Sequence, residues 1–161
     1  GKKFLEDFCT MSSARAAVIL SIMAIVAAIF TMVGCEKEDV VISVEQLPRE
    51  VTSFVQAHFP GVEILSVVKD YSGAKAYDFE LRLADGTRLD IRKGGQWKEV
   101  ENFKKGVPSS IVPAEILTYV AENHPDTIIV SIDCERGYEV SLKGGVDIHF
   151  DSAGNFSRYD Y

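Results

Sequence analysis

Leu47-Pro48-Arg49-Glu50-Val51, continuing through Val55 to Phe59-Pro60, recurs as Val112-Pro113-Ala114-Glu115-Ile116, continuing through Val120 to Pro125, at an offset of 65 residues. Further along, Phe79, Leu81, Leu83, Leu89, Ile91, Gly95 and Trp97 correspond to Tyr138, Val140, Leu142, Ile148, Phe150, Gly154 and Phe156 at an offset of 59. A repeat on this scale sets the architecture and is read before any single motif. The six residues lost between the two offsets belong in the first hairpin connection, around Tyr71 to Ala76. Two copies of one unit thus fill almost all of 44–161, repeat one being 44–105 and repeat two 106–161.

Each unit opens with a helix. Leu47, Val51, Phe54, Val55 and Phe59 form an apolar stripe of helical period. Pro48 suits the first turn, where a missing N–H costs nothing, and Pro60-Gly61 stops the helix. The second copy has Val112, Ile116, Tyr119 and Val120 between Pro113 and Pro125.

Strands follow. Phe79-Leu81-Leu83 alternate with Asp78-Glu80-Arg82, and Leu89-Ile91 with Arg88-Asp90-Arg92. Period two with one polar side predicts an antiparallel sheet half open to water. A two-residue turn at Asp85-Gly86 would set Leu83 opposite Arg88 and mix the faces. A three-residue turn, Ala84-Asp85-Gly86 with Gly86 left-handed, pairs Leu81 with Leu89 and Phe79 with Ile91. The same rule pairs Val140 with Ile148 and Tyr138 with Phe150. Ile91 then falls beside Trp97, and Phe150 beside Phe156.

Each unit therefore reads as one helix and four antiparallel strands. The fold class is α+β: a tandem repeat forming one sheet of about eight strands with both helices on one face. One unit alone buries too little apolar surface, and two together suffice.

Upstream, Ala16 to Gly34 carries no charge and follows Arg15, the layout of a secretory leader. The run is 19 residues long, so a transmembrane anchor stays open beside it. Met11 is the expected start of this leader. Met32-Val33-Gly34-Cys35 resembles the lipobox of bacterial lipoproteins, which implies leader 1–34 and lipid attachment at Cys35. Glu36-Lys37-Glu38-Asp39 then opens an acidic tether, 35–43, that resembles a surface-export signal of Bacteroidetes lipoproteins; a simple solvated tether is the alternative. The expected location is the cell envelope, on an outer-membrane lipoprotein facing periplasm or cell surface.

Composition narrows the function. The chain has 161 residues, 47% apolar and 25% charged, with formal charge −7. Loss of 1–34 takes away three bases and two acids and moves the charge to −8. A nucleic-acid partner is excluded, because phosphate neutralisation needs a Lys/Arg surplus. Of three cysteines, Cys9 lies in the leader and Cys35 would carry lipid, leaving Cys134 without a disulfide partner.

The Leu47-Pro48 helix start, Phe59-Pro60, the Asp85-Gly86 turn and Phe150-Asp151-Ser152-Ala153-Gly154-Asn155-Phe156 resemble the PepSY-like family. Such proteins are secreted or lipid-anchored, many from Bacteroidetes, with a duplicated fold likened to β-lactamase inhibitor protein. The resemblance covers about residues 44–161. It implies that the concave, open side of the sheet is the docking side. It also points to the turn around Asp70 and Tyr71, which lies where the inhibitor carries an acidic hairpin loop. β-Lactamase inhibition itself is not implied.

No enzyme is expected. His58, His124 and His149 lack ligand spacing, so no metal and no cofactor is predicted. Cys134 shares the apolar parity of Ile128, Val130 and Ile132, whereas His149 shares the polar parity, so they cannot form a nucleophile–base pair. The polar face remains, with Arg82, Arg88, Asp90, Arg92 and His149 as its candidate binding residues. The register sets Asp78 opposite Arg92 and Glu139 opposite His149, which is favourable. It also opposes Glu80 with Asp90 and Arg82 with Arg88, which costs stability unless diagonal neighbours compensate. The expectation is a lipid-anchored envelope binding module that restrains or senses a peptidase or other envelope enzyme. The alternative is a structural or colonisation-related surface lipoprotein binding a glycan or host protein. Either partner would be an envelope or extracellular molecule, with the membrane reached through the lipid.

Overall fold

The computed structural model describes residues 39–160. The expected leader, the lipobox and Cys35 lie outside the described residues. Strand β1 (Val40–Ile42) comes first, then α1 (Arg49–His58), β2 (Ile64–Lys69), β3 (Phe79–Leu83), β4 (Arg88–Ile91) and β5 (Trp97–Glu101). The second unit supplies α2 (Ala114–Asn123), β6 (Ile129–Asp133), β7 (Tyr138–Leu142), β8 (Val146–Phe150) and β9 (Phe156–Asp160). The strands form one antiparallel sheet in sequence order.

The helices begin where their prolines put them. Pro48 and Pro113 occupy the cap position in extended conformation. The Pro48 carbonyl accepts the N–H groups of Val51 and Thr52 at 3.1 and 3.2 Å. Val51 and Val55 of α1, and Ile116 and Val120 of α2, are the buried stripe.

The derived register is present: Leu81 opposes Leu89, Phe79 opposes Ile91, Val140 opposes Ile148 and Tyr138 opposes Phe150. Gly86 has φ +92°. One inward row crosses the whole sheet: Ile42, Val67, Leu81, Leu89, Val100, Ile132, Val140, Ile148 and Tyr159. Its central residues share one apolar cluster with the buried residues of both helices, so both helices cover the same side. The two units join where Val100 of β5 opposes Ile132 of β6.

Three expectations need correction. The sheet has nine strands, not about eight, because Val40–Ile42 pairs with β2 inside the stretch expected to be tether. Ile42 faces Val67, and that contact outweighs the acidic run just before it. The expected parity of β6 fails: a bulge between Ile129 and Ser131 lets Ile129 and Val130 both be buried and leaves Ile128 exposed. β2 repeats the bulge between Ile64 and Ser66. Finally, the side chains of Asp78 and Arg92 turn to backbone instead of to each other. Asp78 Oδ2 accepts the Lys93 N–H at 2.8 Å, and Arg92 Nε donates to the Ala76 carbonyl at 2.9 Å.

Candidate functional site: the open face of the sheet

The face away from the helices has its own row, one residue per strand from β2 to β9: Val68, Glu80, Asp90, Glu99, Asp133, Glu139, His149 and Arg158. Five successive members are acids. The sequence reading found Glu80, Asp90, Glu139 and His149 but missed Glu99, Asp133 and Arg158. Arg158 was legible, since an offset of 59 places it on Glu99.

In the first unit the charges satisfy one another. Arg88 Nη2 donates to Asp90 Oδ2 at 2.8 Å and its Nη1 lies 3.5 Å from Glu99 Oε2. Glu80 bridges the opposed arginines, with Oε1 3.0 Å from Arg82 Nη2 and Oε2 3.7 Å from Arg88 Nε. These neighbours offset the like-charge opposition of Glu80 with Asp90 and of Arg82 with Arg88. Asp90 is only 2% exposed. Burial pushes its carboxyl up to about 6, against the pull of Arg88. Asp90 Oδ1 and Arg88 Nε have no hydrogen-bond partner.

In the connection between β2 and β3, Lys75 draws the Asp90 carboxyl down slightly against its burial, and burial followed by the charge of Asp90 raises the Tyr77 hydroxyl above its ordinary value. Lys75 is also ion-paired with Asp39. Asp70 turns inward: its Oδ1 accepts the Ser72 N–H at 2.9 Å, and hydrogen bonds from Ser72 hold its carboxyl below the usual range. Tyr71 is exposed, with Lys69 Nζ 4.5 Å from its ring centroid.

The second unit is more open. His149 Nε2 stands 3.3 Å from Asp160 Oδ2 and 3.9 Å from Glu139 Oε2. Beside it Glu99, Glu101, Asp133, Glu135 and Glu139 surround a shallow cleft bordered by exposed Phe103. Cys134 points elsewhere, its Sγ donating to the Trp97 carbonyl at 3.2 Å, and burial raises its thiol above the ordinary value. His58 and His124 also lie apart from this face, bonded to Ser110 Oγ and Tyr159 Oη. Among the described residues no group of three or more His, Cys, Asp or Glu is arranged to hold a metal ion.

A duplicated helix-and-meander unit, with both helices on one side of a continuous sheet and a charged face on the other, defines a two-repeat α+β protein. The chain belongs to the PepSY-like family, whose model, described as "putative beta-lactamase-inhibitor-like, PepSY-like", matches residues 27–83 and 75–158. A Bacteroides thetaiotaomicron protein described as a "putative calcium-regulated periplasmic protein" has a similar structure, with TM-score 0.70 and 28% identity over 80% of this chain and 100% of that one. Two proteins from Bacteroides vulgatus, each described as a "putative periplasmic protein", are also similar. Their TM-scores are 0.68 and 0.69 and their identities 31% and 29%, over 80% and 77% of this chain and 100% of each of theirs. No curated protein matches the chain.

Proposed function

We propose that this protein is a non-enzymatic binding module of the bacterial envelope, anchored by lipid on Cys35, that docks a protein partner on the open face of its sheet. The observation that carries the reading is the opposition of Glu99, Asp133 and Glu139 on three adjacent strands. Like charges placed directly opposite destabilise a sheet, and a partner's complementary charges would relieve that cost. The inhibitor-like description of the family and the periplasmic descriptions of its structural neighbours support the envelope and the binding role. Among the described residues no helix is long and apolar enough to cross a membrane. Restraint or sensing of a peptidase or other envelope enzyme is the role that fits this arrangement.

The test places a photo-crosslinker at Ser141 on the open face, or at Glu122 on α2, in cells making the full chain. One envelope protein should crosslink from Ser141 and not from Glu122. Cys35→Ser should lose fatty-acid labelling and leave the membrane fraction, because acyl chains supply the membrane affinity. Equal crosslinking from Glu122 would refute the docking face, and unchanged labelling would refute the anchor.

A further inference from the structure

We propose that β9 is a joining edge for a second copy of this chain: it replaces β1 on β2 of the next molecule, in the register that β5 takes on β6 within one molecule. The inference concerns the two ends of the sheet and is independent of what the open face docks.

The repeat carries it. The offset of 59 that sets Trp97 on Phe156 also sets Glu99, Val100 and Glu101 of β5 on Arg158, Tyr159 and Asp160 of β9. The offset of 65 sets Ser66, Val67 and Val68 of β2 on Ser131, Ile132 and Asp133 of β6, and the bulges before Ser66 and Ser131 coincide under it. β9 is thus a β5-type strand and β2 a β6-type strand. Inside the molecule the two types meet at the joint, where Glu99, Val100 and Glu101 oppose Asp133, Ile132 and Ser131. Backbone bonds prolong that joint, from the Cys134 N–H to the Lys98 carbonyl at 3.0 Å and from the Asn102 N–H to the Val130 carbonyl at 2.8 Å. At the end of the sheet β9 pairs with β8 alone among the described residues. The edge that corresponds to the joint is therefore left as a row of backbone donors and acceptors, a template to which another strand can add.

The complementary edge is that of β2, and β1 sits on it as an imitation of a β5-type strand. Ile42 opposes Val67 and Val41 opposes Val68, as Val100 opposes Ile132 and Glu99 opposes Asp133. The imitation is partial. β1 has three residues and its pairing stops before Ser66. Val40 and Val41 are 46% and 71% exposed, so Ile42 alone of the three packs on the core. In the same register β9 sets Tyr159 on Val67, Arg158 on Val68 and Asp160 on Ser66. An aromatic side chain then meets the apolar row, and Ser66 gains an acidic partner as Ser131 has in Glu101. No like charges are opposed, whereas the internal joint opposes Glu99 with Asp133. A second copy is the occupant because its β2 carries the bulge and the Ser-apolar pair of the strand that β5 already accepts. Each copy has one edge of each type, so the contact is head-to-tail and repeats from molecule to molecule instead of closing on a pair.

The test uses the purified full chain in neutral detergent micelles, with a photo-crosslinking residue in place of Arg158 and light and heavy-isotope copies mixed. Six strands separate β2 from β9 within one molecule, so a crosslink between them joins two molecules, and light–heavy pairs confirm it. Irradiation should give a ladder of dimers and larger species, with the crosslinks mapping to the β2 peptide around Val68. Ile42→Asp puts a charge against Val67, loosens β1 and should raise the crosslinked fraction at least threefold. Circular dichroism melting checks the fold, and Ile42→Ala serves if that variant unfolds. A disulfide between Val41→Cys and Val68→Cys, which are directly opposed, holds β1 in place. It should cut the crosslinked fraction at least tenfold, with recovery on reduction. No intermolecular crosslink, crosslinks mapping away from β2, or a fraction unmoved by the disulfide would each overturn the inference.

Discussion

Gly86 and Gly137 both hold left-handed backbone, at φ +92° and +98°, and differ in what surrounds them. A Cβ at Gly86 would meet only Lys104 Cδ at 3.7 Å, an ordinary contact, whereas at Gly137 it would meet backbone at 2.4 Å. Gly86→Ala should therefore cost about 1 kcal/mol, from the backbone conformation alone. Gly137→Ala should cost at least about twice as much, since strain and a displaced strand add. Urea unfolding of the two variants measures the difference. Gly86 was legible in the sequence, because only a left-handed residue there keeps both strands' apolar faces together. Gly137 was not, because its constraint comes from β8 pressing on the turn. Asp90 was legible only as one more residue of a solvated face, and its burial alters its chemistry. Its carboxyl is raised from 3.8 to about 6. Between those values the folded chain holds a proton that the unfolded chain has released, so the stability due to Asp90 falls as pH rises through the window. The full difference is about 3 kcal/mol. Asp70 and Asp151 act oppositely: hydrogen bonds from Ser72 and Asn155 lower their values, so their contribution disappears only as pH falls below 3.8. Asp90→Asn should flatten the decline of the urea midpoint between pH 4 and 6.5. A wild-type slope retained in the variant would assign the decline to other groups.

The connection between β2 and β3 shows which parts of an element a repeat can reveal. Its six extra residues were visible as a change of offset. Where they go was not, because the electrostatic influence between Asp90 and the Lys75 and Tyr77 side chains acts across strands and has no sequence periodicity. Helices and strand register were readable for the converse reason: apolar period and face parity are carried by the residues themselves. β1 and the two bulges escaped, the first because three residues are too few to show a period, the others because a bulge interrupts the parity that reading depends on. Deleting Tyr71 to Ala76 would give the first unit a connection like that of the second. Water would then reach Asp90, and its carboxyl should titrate well below 6, toward the ordinary value of 3.8, in a carbon-detected NMR titration. A midpoint still near 6 would show that Arg88, Glu80 and Glu99 bury it without help from the connection.

Across the whole molecule the two units differ in surface while sharing one interior. The inward row continues without a break from Leu89 through Val100 and Ile132 to Val140, each of them fully buried. Neither half can expose its edge of that row without losing apolar burial on both sides of the joint, so the halves are bound to unfold together. This interior continuity is what allows the surfaces to diverge: an acidic cluster paired by Arg88 in one unit, and a hollow lined by Asp133, Glu135, Arg136, Glu139, His149 and Arg158 in the other. Trp97, the only tryptophan, reports on the first unit, and the imidazole signals of His149 report on the second. Both should disappear at the same urea concentration. Ile132→Ala removes a fully buried side chain at the joint and should cost about 2–5 kcal/mol. It should lower both midpoints equally, because the cavity lies in the shared core. If the Trp97 transition stayed in place while His149 moved, the units would be separate domains that merely touch, and the hollow of the second would have to be understood without the first.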